Sequence, residues 1–376
     1  MALPAQEFEE FKRSASDFIW RELEPLAEDI DKSRKVPREL WPKFSEHGFF
    51  GLITPREYGG IGLSHEQYIY FEKEWAKLQG GIRGILHVHN LGAELVSDLG
   101  RKEQKEEMLP RIAKGELSVA FALTERYAGT GRDIKTEAKK KGDKYILKGE
   151  KHLITNADFA QLFHVVCRSE NGFSNLLVDR NTPGFIIKDM PEAMGISGSH
   201  HAILEFNDCE VPVENILGTE GKGLDESLRA LRVSRVYIAA DALGVCERCL
   251  ELSLKRAKER VTFGRPIAER QAVQGYLAEM ATDTYCLRLV TLDAARKVDE
   301  TGEPGVEADL AKLFAIDAVR RVTDAALLVL GGLGYTREFP IQRLYRDARV
   351  NWLEEGTPTI HKFEAARRLL RGELPW

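Results

Sequence analysis

Cysteine is scarce in this chain: Cys167, Cys209, Cys246, Cys249 and Cys286 are the only ones in 376 residues. An odd, scattered set excludes a disulfide framework and implies free thiols in a reducing compartment. Cys246 and Cys249 form a C-x-x-C, but no second pair completes a zinc site, and their helical surroundings predict core packing. A basic excess is also missing: 54 Lys and Arg stand against 59 Asp and Glu, a net charge of −5. That balance excludes nucleic acid or an anionic membrane as the main partner. No apolar run is long enough to span a bilayer. The opening MALPAQEFEEFK is acidic and has no apolar core, so it does not read as a signal peptide, and a cytoplasmic location is expected. Internal repeats and low-complexity tracts are absent.

With 43% hydrophobic residues, the chain can fill two or three cores. Residues 5 to about 115 are patterned for helices, with Phe8, Phe11, Phe18, Leu23 and Leu26 near one stripe. Pro37 is expected to open a second helix. The turn Pro55–Gly62 leads to Ser64, which caps a helix to about Lys77, and further helices are expected near 83–98 and 102–114. From about 118 the pattern becomes short β-rich runs, including Tyr145–Leu147, Phe163–Cys167 and Asn175–Val178, with Asn171-Gly172 marking a hairpin. Long helices return from about 223, including segments near 306–330, 339–350 and 356–371. The expected class is α+β, mainly α. It comprises an N-terminal α-helical domain (1–117), a middle antiparallel β-barrel or sandwich (118–220) and a C-terminal four-helix bundle (221–376).

Near the C-terminus, Glu354-Glu355-Gly356-Thr357 places a carboxylate on a glycine turn that opens the final helix. There Glu355 can project into a cleft, where burial suits a carboxylate to removing a weakly acidic carbon-bound proton. The same tripeptide also serves as a solvated turn at a helix start, and local sequence alone leaves both readings open.

A set of segments in fixed order narrows the choice: PREYGGIGLS at 55–64, LTERYAGT at 123–130, GEKHLITNA at 149–157, FNDCEVPVENILG at 206–218, RVTFGRPI at 260–267, QAVQGYLAEM at 271–280, GGLGY at 331–335, YRDARV at 345–350 and EEGT at 354–357. Together they resemble the acyl-CoA dehydrogenase family along nearly the whole chain. The resemblance implies bound FAD and α,β-dehydrogenation of an acyl-CoA to the trans-2-enoyl-CoA, with hydride passing from the β-carbon to flavin N5.

Residue by residue, Glu355 matches the family's catalytic base. Glu354 stands where relatives usually carry an aromatic residue, and is a competing base expected to be less buried. Gly356 allows close approach of the thioester. Phe121, Leu123, Thr124, Gly129 and Thr130 match the segment bordering the flavin ring, with Thr130 also beside substrate. In that segment Arg126 replaces a usual proline. Ile154 and Thr155 match the pair facing the ring from the next strand, while Leu153 replaces a usual aromatic. Arg260, Phe263, Gln271, Gly331 and Gly332 match contacts to the pyrophosphate and adenosine half of FAD, usually across a subunit boundary. Thr357 and Thr359 match a cofactor-contacting segment beside the base. Arg235 matches the arginine near the pantetheine arm, with Arg232 where Asp is usual; this keeps a carrier-protein thioester open. Helix residues 83–95 are expected to line the acyl pocket. Arg83 reads either as a surface charge or as a clamp for a distal substrate carboxylate, and His87 and His89 as a polar helix lining; no metal site is expected.

The resemblance further implies a homotetramer built as a dimer of dimers and an electron-transfer flavoprotein as electron acceptor. An oxidase or a non-catalytic relative on the same fold remains the alternative.

Overall fold

The computed structural model describes residues 2–129 and 131–375. Six helices come first: α1 (Ala5–Phe18), α2 (Ala27–Ser33), α3 (Leu40–Glu46), α4 (His65–Leu78), α5 (Gly80–Leu99) and α6 (Lys102–Ala113). Ser64 caps α4 as expected: its hydroxyl accepts from the Gln67 N–H and the Gln67 side chain accepts from the Ser64 N–H, each at 3.3 Å. Pro37 lies in a turn ahead of α3 and does not open it; its carbonyl accepts from Leu40 N. Helix α5 starts on glycines because a Cβ on Gly81 would meet the Ser197 carbonyl at 2.0 Å. This close approach holds α5 against the segment before the seventh strand.

Eight strands follow: β1 (Val119–Ala122), β2 (Glu137–Lys141), β3 (Lys144–Thr155), β4 (Leu162–Ser169), β5 (Gly172–Asp179), β6 (Phe185–Asp189), β7 (His201–Pro212) and β8 (Ile216–Leu217). They form one sheet in the order β6-β7-β3-β2-β4-β5-β8, with β1 parallel to β4. Asn171-Gly172 turns β4 into β5 with Ser169 opposite Gly172, as the hairpin signal requires. The sheet is mostly antiparallel and not closed, so the expected antiparallel barrel or sandwich is a loose one, with β1 and one β2–β4 pair parallel. Turn residues report pairing between neighbours in sequence; the β1–β4 pairing skips two strands and has no local signature.

The remaining elements are α7 (Gly223–Glu259), a two-stranded ribbon of β9 (Val261–Thr262) and β10 (Arg265–Pro266), α8 (Gln271–Thr301), α9 (Val306–Leu330), α10 (Gly332–Tyr335), α11 (Pro340–Asp347) and α12 (Pro358–Leu370). Helices α7, α8 and α9 pack pairwise and α12 packs on α9, giving the C-terminal bundle, while α4 docks against α7. One apolar core runs through both helical regions, from Phe49 and Trp75 to Tyr237, Leu243 and Val319. A second core, with Tyr145, Phe163 and Phe206, lies within the sheet region. Cys246 and Cys249 are buried in the first core, as packing predicts. No helix among the described residues is long and apolar enough to cross a membrane. The helix expected over 339–350 stops at Asp347; a 3-10 turn, Val350–Trp352, follows, so residues 353–357 form a free turn ahead of α12.

Candidate active site

A cavity of about 310 Å³ lies between sheet and helices. Strands β1 and β3 supply Phe121, Leu153, Ile154 and Thr155, and the segment just after β1 supplies Leu123 and Thr124; α5 supplies His87, Val88 and Leu91, and α7 supplies Leu231. The segment Ala193–Ile196 with His201, and the stretch Arg346 to Glu355, close the remaining sides.

Glu355 sits on the cavity wall in the left-handed backbone region, φ 56°, and Gly356 follows at φ 110°. A non-glycine residue in that region costs on the order of 1 kcal/mol and persists only where its surroundings impose it. Here three successive carbonyls are tied down: Lys312 Nζ donates to Glu354 O at 2.5 Å, Arg235 Nε to Glu355 O at 3.3 Å, and His361 Nε2 to Gly356 O at 2.9 Å. The Glu355 carboxylate accepts from Ser234 Oγ at 3.0 Å and lies 3.8 Å from His87 Nε2. Its amide N–H has no acceptor among the described residues.

Behind this turn lies a buried polar network. Arg83 Nη2 pairs with Asp241 and Glu354, each at 2.8 Å, and Asn351 Nδ2 also donates to Asp241. Arg83 is 1% exposed and does not line the cavity, so it is neither a surface charge nor a free clamp. Desolvation would raise the Glu354 carboxyl, but Arg83, with His87 and Lys312, overrides it and holds the group below the usual carboxylate range. Engaged by Arg83, Glu354 is the poorer base; its side chain is also more exposed than that of Glu355, 23% against 11%. Burial pushes Lys312 down to about 8 against the pull of Glu355 and Glu354. Burial also opposes charge on His87, yet Glu72 and Glu355 push its imidazole up to about 10. His89 serves elsewhere, bonded to Ser118 Oγ and Ile112 O.

Of the sequence-derived positions, Glu355, Phe121, Leu123, Thr124, Ile154 and Thr155 meet at this one cavity. Gly356 is buried beside it, and Arg235 is a brace, bonded to Glu355 O and to Asp309. Arg232 is half-buried, with no carboxylate partner and an unpaired Nε among the described residues. Gly129, Thr357 and Thr359 are exposed and off the cavity wall, and Thr130 lies outside the described residues. A separate group gathers at the far end of the bundle. Arg260 Nη1 donates to Leu330 O beside Gly331 and Gly332, Gln271 starts α8, and Phe263 tips the β9–β10 ribbon at 95% exposure. Sequence reading missed Ser234, Lys312, Asp241, Asn351, Glu72 and the segment from Ala193 to His201, none of which carries a local motif.

The cavity fits a flavin ring. Its walls are largely aliphatic, while Thr124 and Thr155 stand along the strand side with side-chain hydroxyls that have no partner among the described residues. A tricycle apolar on its faces and polar along one edge needs that arrangement.

Comparisons with known proteins agree. The acyl-CoA dehydrogenase N-terminal, middle and C-terminal domain models match residues 5–116, 120–209 and 221–370. An acryloyl-CoA reductase (NADH) from Anaerotignum propionicum is 38% identical, covering 97% of this chain and 95% of that protein. Butyryl-CoA dehydrogenase from Megasphaera elsdenii superposes with a TM-score of 0.93 at 33% identity, covering 99% of this chain and 100% of that one. A chain from a structure of the electron transferring flavoprotein of Acidaminococcus fermentans gives 0.93 at 37% identity, covering 98% and 99%. The chain belongs to the acyl-CoA dehydrogenase family. It is an oxidoreductase, and its cofactor is FAD.

Proposed function

We propose that this protein catalyses α,β-dehydrogenation of an acyl-CoA thioester with Glu355 as the base. The observation that carries this reading is a carboxylate held on the wall of a flavin-sized cavity by a turn whose three carbonyls are all tied down. Bound FAD supplies the hydride acceptor. Glu355 removes the α-proton: its Oε1 is occupied by Ser234, which leaves Oε2 to face substrate. The unpaired Glu355 N–H is suited to receive the thioester carbonyl oxygen, where charge grows as the proton leaves. The aliphatic wall of Leu91, Leu231 and Ile154 keeps water from competing for the base. The unpaired Arg232 is available to an anionic group on the substrate carrier, whether CoA or a carrier protein. By microscopic reversibility the same groups serve the reductive direction, which the acryloyl-CoA reductase relative makes relevant.

Arg260, Gln271, Gly331 and Gly332 stand off the cavity, and Phe263 is bare. Both features support the reading that they hold a neighbour's FAD within a homotetramer. An electron-transfer flavoprotein is the electron acceptor this reading favours.

Glu355→Gln should retain its flavin and lose anaerobic bleaching by a panel of short, branched, dicarboxylic and cyclic acyl-CoAs that reduces the wild type. A variant that bleaches at the wild-type rate ends the assignment of the base.

A further inference from the structure

We propose that His87 is a positioning residue for Glu355: clamped by Glu72, it acts as a fixed cation that turns the Ser234 hydroxyl onto the carboxylate and keeps the base ionised and aimed. This rests on Glu355 being the base.

The hydrogen bonds decide the protonation of the ring. Glu72 Oε1 accepts from Tyr68 OH at 2.5 Å and faces His87 Nδ1 at 3.0 Å. Glu72 Oε2 is buried without a partner, so a proton there would have no acceptor; Glu72 is a carboxylate receiving two donors, and Nδ1 carries hydrogen. On the other side, Ser234 donates its only hydrogen to Glu355 Oε1 at 3.0 Å. His87 Nε2, 3.2 Å from the same Oγ, must then donate as well. Both ring nitrogens bear hydrogen, and the imidazolium sits between two carboxylates. Tyr68 and His87 Nδ1 point at Glu72, His87 Nε2 points at the Ser234 oxygen, and Ser234 points at Glu355.

Other groups around the ring do not reverse this balance. Helix α4 presents Glu72 and Tyr68; α5 carries Arg83 and Glu94; α7 presents Ser234 and Tyr237; the terminal turn presents Glu354 and Glu355. Arg83 opposes charge on the ring, but its own partners Asp241 and Glu354 offset it. Glu94, raised by burial to about 8, is largely neutral at pH 7, and Glu72 and Glu355 favour the cation.

The experiment measures the pH profile of anaerobic flavin reduction in the holoenzyme, alongside NMR of the His87 ring. His87→Gln keeps an amide donor but removes the charge. Its acid limb should move up by about one pH unit or more. Ser234→Ala should shift the limb in the same direction. The wild-type ring should stay protonated through neutral pH, and Glu72→Gln should make it titrate there. Wild-type acid limbs in both variants, or a wild-type ring titrating near pH 6.5, would overturn the proposal. If Glu355→Gln is inactive while the limbs stay fixed, only the role of His87 fails. If Glu355→Gln remains active, the base assignment fails, and this inference with it.

Discussion

Arg83 Nη2 stands 2.8 Å from both Asp241 Oδ2 and Glu354 Oε2, on partners 158 and 271 residues away in sequence. One guanidinium thus ties α5 to α7 and to the turn that carries Glu355. Burial raises the Asp241 carboxyl to about 6 even against the pull of Arg83.

Arg83→Met leaves two acids without their cation. Breaking a buried pair from one side costs about 3–5 kcal/mol, and thermal unfolding should show it. Adding Asp241→Asn and Glu354→Gln should recover most of the loss. If the single variant melts with the wild type, the network contributes nothing.

Glu94, 9% exposed and bonded to Tyr237, is pushed up to about 8, mainly by burial and then by Asp98. A carboxyl raised in the folded state stabilises it fully below the unfolded value near 4.5 and loses that contribution as pH climbs through 8. Stability should fall across this window by up to about 1.4 kcal/mol per unit. Denaturant midpoints for Glu94→Gln should be flatter between pH 5 and 8; an unchanged slope would assign the pH dependence to other groups.

Arg260→Ala should release FAD without unfolding the protomer. Losing a charge-assisted bond of about 1.5–3 kcal/mol weakens retention roughly ten- to a hundredfold. Equilibrium dialysis gives the affinity and sedimentation the assembly. A stable, FAD-loaded monomer of the wild type would refute the cross-subunit reading.

Local features were legible where the physics is local. Ser64 with Gln67 caps α4, Asn171-Gly172 turns β4 into β5, and the return of long helices from about 223 marks the bundle. Glu355 was legible only through ordered segments spread over the chain, since Glu-Gly-Thr alone is a common turn. Arg83 was misread as a possible surface charge because its partners carry no pattern around it. His87 and His89 read alike as a polar helix lining, yet the two rings bond to different neighbours, Glu72 and Ser234 for one and Ser118 and Ile112 for the other.

The amino-acid order by itself determined the helix, sheet, helix succession, the turn bearing Glu355 and the family to which the chain belongs. Those properties follow from periodicity, capping and residues adjacent in sequence. Only the tertiary structure decided that Arg83 is spent on two carboxylates, that β1 pairs in parallel with β4, and that Glu72, His87 and Ser234 line up beside Glu355. Burial and hydrogen-bond direction arise from groups brought together across the chain, and no local spacing encodes them.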